Sequence, residues 1–251
     1  MGAQANRRPR NIHLEADAPV NQSVERAVSL LGFFSAEESE LTLAELTTRL
    51  GASKATTHRY TLALRRTGLL RFDSSRGVYS LGVRLVELAA GALSGLRVAT
   101  IAQPHVERLV SETNQSSILS IWDGHAPIVV VGAEGAESLV RISIPHGSRL
   151  PLSSASGKVF AAFNAELNAS GASSRELARI RRNHFATDRE IRDCFRTIAA
   201  PVFQAGKVVA ALAFIGTTSS IPTEPETQLG EKLREAARLL SSELGLNDGR
   251  D

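Results

Sequence analysis

The sequence predicts an N-terminal all-α-plus-wing domain of the winged helix-turn-helix type, a linker helix, and a C-terminal α+β domain. Three observations carry this. Short amphipathic helical segments followed by a hairpin pattern fill residues 20–82, an apolar repeat at helical spacing runs over 83–98, and strand and helix patterns alternate over 99–246. Residues 1–19 read as a disordered basic tail: Arg7, Arg8 and Arg10 are followed by no apolar core, so the segment is not a secretory signal. Residues 247–251 read as a second tail.

With 251 residues, 43% hydrophobic and 22% charged, the chain suits one large or two modest folded domains. A single cysteine, Cys194, excludes an internal disulfide and a multi-thiolate zinc site. Flanked by Arg192 and Arg196, it reads either as an activated thiol or, among apolar neighbours, as an inert one. The longest apolar stretch, Val208 to Ile215, is far shorter than the roughly 20 residues a membrane span needs. A cytoplasmic protein with no membrane partner is expected.

The first helix is predicted from Val24 to Phe34, with Ser23 as N-cap and Val24, Ala27, Val28, Leu31 and Phe34 facing the core. Thr42-Leu43-Ala44-Glu45 matches a capping box opening a second helix, whose Leu43, Leu46 and Leu50 form a stripe ending at Gly51. After a Gly51-Ala52 turn, Ser53 caps a third helix, Lys54 to Thr67. Its Ala55, Leu62, Ala63 and the stem of Tyr60 are expected inward, and Lys54, Thr56, Thr57 and Arg59 outward. Two helices joined by a short glycine turn, the second opening on small polar and basic residues, have the layout of a DNA-reading helix-turn-helix. Leu69–Asp73 and Gly77–Leu81 then read as a wing hairpin about Ser74-Ser75-Arg76, whose Arg71 and Arg76 are expected to touch phosphates rather than bases. Between Gly51 and Arg84 stand Lys54, Arg59, Arg65, Arg66, Arg71, Arg76 and Arg84 against Asp73 alone, a net +6 over 34 residues. Such a concentration suits a polyanion.

Leu81, Leu85, Leu88, Ala89, Ala92, Leu93 and Leu96 predict one continuous amphipathic linker helix, which either packs on its own domain or forms a dimer contact. The C-terminal part opens with a helix from Ile101 to Thr113, with Pro104 in its first turn. Strands follow at 117–122, 127–132 and 138–144, with Asp123-Gly124 as a hairpin turn; helices follow at 156–163 and 173–182. Strands at 195–203 and 208–216 precede a helix from Glu224 to Leu244, capped by Thr223 with Glu224 and Glu226 in its first turn. Ser154-Ala155-Ser156-Gly157 before a helix is either a plain cap or a cradle of free N–H groups for a carboxylate. Asp188, following Thr187, reads by itself as a helix cap.

Several short motifs in order carry a resemblance to a known family. Asn21-Gln22-Ser23-Val24-Glu25-Arg26-Ala27, Leu41 to Leu46, Gly51 to Arg59 and Tyr79-Ser80-Leu81-Gly82 resemble the opening of IclR-type bacterial transcriptional regulators. Gly147 to Leu152, Ser156-Gly157-Lys158, Ile198 to Phe203 and Val208 to Leu212 are similar to the effector domain of the same regulators, which has a GAF-like fold. The resemblance spans about residues 21–245. It implies that Ser53, Lys54, Thr56, Thr57, His58 and Arg59 meet operator DNA, and that the chain forms homodimers or homotetramers. It also implies a pocket for a small organic acid involving Ile142, Leu150, Ala155, Ser156, Gly157, Asp188, Thr197, Ala213 and Ile215. Family members often carry Cys at the position of Thr197 and small hydroxyl residues at those of Ala213 and Ile215. The far wall is therefore expected to be less polar and the ligand more apolar or aromatic. The segment from Lys158 to Phe185 is shorter than its family counterpart.

No cofactor or metal is expected. Gly157-Lys158-Val159 lacks the rest of a phosphate-binding loop, and the histidines at 13, 58, 105, 125, 146 and 184 show no i, i+4 pairing. No nucleophile elbow or dinucleotide fingerprint is present, so no enzyme is expected, and the resemblance implies a ligand-modulated DNA-binding regulator. Two alternatives stay open: a DNA-binding regulator whose C-terminal part only oligomerises, and a small-molecule enzyme with a nucleic-acid-targeting domain.

Overall fold

The computed structural model describes residues 21–35, 38–135, 142–164, 167, 171–188, 195–221 and 227–246. The expected tails and Cys194 lie outside them. The chain divides into two compact units, Met1–Gly91 and Ala92–Asp251, a division that falls within the segment expected to be the linker. Among the described residues no single helix is long and apolar enough to cross a membrane.

The first unit contains α1 (Gln22–Leu31), β1 (Leu41–Thr42), α2 (Leu43–Leu50), α3 (Lys54–Arg66), β2 (Leu70–Asp73) and β3 (Val78–Leu81). Asn21, not Ser23, caps α1, its side chain accepting from the Ser23 N–H at 3.2 Å. The inward stripe of α1 is rotated from the expected one. Leu30 and Phe34 are buried and Ala27 and Leu31 pack on the core, whereas Val24 and Val28 are 58% and 60% exposed. A helix apolar over a wide arc can turn only part of it inward, and here the bulkier leucines face the core. The expected capping box forms: Thr42 Oγ1 accepts from the Glu45 N–H at 3.3 Å and Glu45 Oε2 from the Thr42 N–H at 2.7 Å. Gly51, at φ 62°, ends α2 in the left-handed conformation that glycine adopts without strain.

β1 lies antiparallel to β3, with Leu41 opposite Tyr79, and completes the three-stranded sheet β1-β3-β2. Leu30, Phe34, Leu41, Leu46, Tyr60, Leu64, Leu70 and Tyr79 form the core between this sheet and the helices. Gly82 closes the wing, its N–H donating to Leu69 O at 2.9 Å. A Cβ there would stand 2.0 Å from Gly68 O, a backbone atom. Gly82→Ala is therefore expected to destabilise this unit by about 1–3 kcal/mol, the usual cost of overpacking. A lowered first unfolding transition in calorimetry would show it; an unchanged one would mean the two backbone segments separate freely.

The linker is not one continuous helix. α4 (Arg84–Gly95) stops after Ser94-Gly95, Leu96 leaves helical geometry at ψ 79°, and α5 (Arg97–Thr113) begins afresh. Serine and glycine are weak helix formers, and together they end the element that the apolar repeat alone would continue. Because α5 starts at Arg97 and not Ile101, Pro104 lies in its interior, where it forgoes a backbone bond to Thr100.

The second unit adds β4 (Ser116–Trp122), β5 (Pro127–Ala133), α6 (Ala155–Phe163), α7 (Ser174–Asn183), β6 (Ala186–Asp188), β7 (Phe195–Gln204), β8 (Lys207–Thr217) and α8 (Gln228–Leu246). Its sheet runs β5-β4-β8-β7-β6 with every neighbouring pair antiparallel. Period-two alternation gives the sheet two covered faces. Leu119, Ile198, Ala210, Leu212 and Phe214 pack with α5 and α8 on one side. Ile118, Ala199, Ala211, Ala213 and Ile215 pack with α6 and α7 on the other.

Of the expected strand at 138–144, residues 138–141 lie outside the described ones, and Ile142 to Ile144 form no strand. The chain instead turns at Pro145 and Gly147, and Gly147 and Leu150 donate to Val129 O and Pro127 O at 2.8 Å along β5. The expected Thr223 cap, with Glu224 and Glu226, also lies outside the described residues. α8 begins at Gln228, and Thr227 Oγ1 accepts from the Gly230 N–H at 3.3 Å. Asp188, read as a helix cap, ends strand β6 opposite Thr197 and is 4% exposed; residues 189–194 after it lie outside the described ones.

Candidate nucleic-acid interface and ligand cavity

The exposed face of α3 is set by what the opposite face must hold. Thr57, Tyr60, Thr61 and Leu64 are buried. Thr57 Oγ1 donates to Ser53 O at 3.1 Å and Thr61 Oγ1 to His58 O at 3.0 Å, so each buried hydroxyl is satisfied within the helix. Thr57 is thereby removed from the expected DNA contacts, since its side chain is fully enclosed. The Ser53 hydroxyl is partly committed, accepting from the Thr56 N–H at 3.2 Å and lying 2.9 Å from Thr56 Oγ1. Lys54, His58 and Arg59 are exposed, and Thr56 is half-buried. Ala55 and Ala63, expected inward, are exposed beside them, and Leu62 is half-buried. Sequence reasoning placed the alanines by hydrophobicity; small residues on an exposed stripe are equally a sign of a face that must come close to something.

Arg59 lies with its Cζ 5.8 Å from the Tyr60 ring centre. A hydrogen bond with Ser23, then contacts with Arg59 and Arg26, hold the Tyr60 phenol below its ordinary pKa. Further along α3, Arg65 stacks on Phe72 of the wing at 4.8 Å, and Phe72 packs on Tyr79 at 4.7 Å, which couples the helix to the hairpin. Arg71 on β2 is exposed. Arg76 is already occupied: its Nη1 bonds Glu40 Oε1 at 2.8 Å and its Nη2 bonds Glu40 Oε2. That hydrogen bonding, with the attraction of the same carboxylate, raises the Arg76 pKa.

In the second unit, the expected pocket residues gather on the α6 face of the sheet. Ala155, Ala213 and Ile215 belong to one apolar core against which Ile142 and Leu150 pack. Asp188, Thr197, Ile215 and Ser116 stand opposite one another across four strands and so share that face. Ser154 caps α6 by accepting from the Gly157 N–H at 3.1 Å. Gly157 is required by closeness, since a Cβ there would lie 2.4 Å from Leu152 O. Ser156 in the same turn is fully buried, and among the described residues its Oγ has no hydrogen-bond partner. A cavity of about 220 Å³ lies beside this core, lined by Ser116, Ile118, Gly132, Ile142 and His146 among others. Of the expected pocket residues it touches Ile142 only. Ser116 and His146 were missed, although period-two alternation puts Ser116 and Ile118 on one face.

Comparison with known proteins identifies both units. The IclR helix-turn-helix domain matches residues 23–74, and the C-terminal domain of bacterial IclR transcriptional regulators matches residues 90–173 and 172–242. The chain belongs to the IclR family of bacterial transcriptional regulators. The HTH-type transcriptional regulator XynR of Escherichia coli (strain K12) is 30% identical over 249 residues, covering 90% of this chain and 98% of that protein. An IclR regulator from Alicyclobacillus acidocaldarius superposes with a TM-score of 0.76 at 25% identity, over 89% of this chain and 98% of that one. An IclR homologue from Microbacterium hydrocarbonoxydans, solved in complex with 4-hydroxybenzoate, superposes with a TM-score of 0.74 at 24% identity, covering 88% and 98%. As an IclR-family chain, this is a DNA-binding transcriptional regulator with a helix-turn-helix domain preceding an α+β domain.

Proposed function

We propose that this IclR-family regulator binds a small organic acid, aromatic or aliphatic, between the first turn of α6 and the Asp188-Thr197-Ile215 row, and that the acid modulates operator binding. The observation that carries the reading is the Ser156 hydroxyl. A buried hydroxyl without a partner costs about 1–3 kcal/mol, a cost that a bound carboxylate would relieve. It stands in the first turn of a helix, where backbone N–H groups and the helix dipole favour an anion. Ala213 and Ile215 make the neighbouring wall apolar, which suits a ligand with an aromatic or aliphatic body. The 4-hydroxybenzoate complex of the Microbacterium relative supports the ligand class.

Lys54, Thr56, His58 and Arg59 on α3, with Arg71 on the wing, are the residues proposed to meet DNA in the cytoplasm. The functional unit is proposed to be a homodimer or a pair of dimers. Support comes from an apolar surface that the single chain leaves uncovered: Val83 and Val86 are 72% and 67% exposed, Leu88 and Leu93 are 50% and 39% exposed, and no residue of α4 is buried. No enzymatic activity is proposed; the effector acts through its different affinity for DNA-competent and DNA-incompetent states.

The experiment is binding of the full chain to DNA from its own upstream region, titrated in salt, with and without a panel of aromatic and aliphatic acids. Selective, salt-sensitive binding altered by one acid is expected. Selective binding indifferent to every acid would leave the second unit as an oligomerisation domain.

A further inference from the structure

The wing turn is organised by its own hydrogen bonds. Asp73 Oδ1 accepts from the N–H groups of Ser75 and Arg76 at 2.9 and 3.3 Å, and Gly77 takes φ 68°. The backbone of the turn therefore does not need the Arg76 side chain, which leaves the turn and places both terminal guanidinium nitrogens, Nη1 and Nη2, on the two oxygens of Glu40. Glu40 is positioned by the residue that follows it. Leu41 is 2% exposed and pairs with Tyr79 on β3, so the carboxylate sits where the chain enters the sheet that carries the wing. Glu38, two residues earlier, is taken up by Arg49 at 2.7 Å. A carboxylate presenting two oxygens to a planar guanidinium offers it what a DNA phosphate offers.

We infer that Glu40 acts as an internal phosphate mimic: it holds the Arg76 fork in the free chain and must be displaced before the wing can grip the DNA backbone. Glu40 thus restrains affinity for duplexes of any sequence, because the contact it competes with carries no base information. The Arg76 and Glu40 side chains are 58% and 37% exposed, so the pair opens readily enough for exchange. The inference rests on DNA binding by this helix-turn-helix unit and, more narrowly, on the wing touching phosphates.

The test uses full-length protein in four forms: the natural chain, Glu40→Gln, Arg76→Gln and the double variant. Each is titrated by fluorescence anisotropy, across a salt series, against upstream DNA and a scrambled duplex of equal length. Thermal unfolding confirms that each variant folds. Glu40→Gln is expected to bind both duplexes about two- to fivefold more tightly, the range that the strength of a surface ion pair permits. The dependence of log Kobs on log salt is expected to steepen by up to about 0.9 per wing. In the Arg76→Gln background the gain is expected to vanish. A gain of equal size there would mean that Glu40 acts only by long-range repulsion, and no gain in either background would mean that it does not compete; either result overturns the inference. Arg76→Gln binding DNA as the natural chain does would instead show that the wing arginine does not touch phosphate, which overturns the inference while leaving recognition by α3 standing.

Discussion

Replacing Arg59 with Ala is expected to weaken operator binding about ten- to hundredfold per DNA-binding unit, the value of one good bidentate contact to a base edge. Arg59 is exposed in the second turn of α3, beside His58 and one turn beyond Ala55. The size of the operator loss relative to the loss on scrambled DNA distinguishes its two possible roles. A guanidinium bonded to a guanine edge costs the operator more than it costs any other duplex. One bonded to phosphate costs both alike and lowers the salt slope by about 0.9. Arg59→Lys separates them further, because an ammonium replaces the charge at a phosphate but not the planar fork at a guanine. Unchanged operator affinity in Arg59→Ala would remove the residue from the interface and leave Lys54 and His58 to carry it.

Filling the first turn of α6 is expected to abolish the response to the acid while operator binding persists. In Ser156→Trp an indole enters a position with no exposed surface, so ligand entry and α6 packing are both disturbed. Ser156→Ala removes the hydroxyl without adding bulk and keeps the question answerable if the larger variant fails to fold. Deleting an unpartnered buried hydroxyl is expected to raise the unfolding temperature of the free chain by a few degrees, since about 1 kcal/mol moves a domain of this size by roughly 2–4 °C. The same change is expected to shrink the thermal shift produced by the effector. A Ser156→Ala chain with an unaltered response would rule out the hydroxyl as a ligand contact.

The parts of the fold with local signals were legible in the sequence. Thr42 with Glu45 and Ser53 each mark a helix start by a cap that forms as expected, and the Ser74-Ser75-Arg76 turn between two alternating strands gives the wing. Elements too short to show a period were not: β1 has two residues and β6 has three, and both exist because a longer neighbour, β3 or β7, offers an edge. Tertiary choices were also hidden. The rotation of α1 away from Val24 and Val28 depends on which residues α2 and α3 present to it. The burial of Thr57 depends on a hydroxyl able to bond back to Ser53 O, which makes a polar residue acceptable inside. For the sites, charge pattern located the basic unit but not the pairing of Arg76 with Glu40, which lies 36 residues earlier in the chain. The free Ser156 hydroxyl followed from Ser154 taking the cap, a division of labour that two equivalent serines conceal until the helix start is fixed to one residue.

The two sides of α3 have a consequence for how such a regulator changes over generations. Thr57, Tyr60, Thr61 and Leu64, which seat the helix in its core, lie on the buried side. Lys54, His58 and Arg59, proposed to meet DNA, lie on the exposed side with Ala55 and Ala63 beside them. Mutations on the outer side therefore cost the protein almost nothing in stability, and selection can rewrite the operator preference of a descendant copy while its scaffold stays untouched. A library confined to those outer positions should yield chains that nearly all fold and that differ from one another chiefly in the DNA they choose.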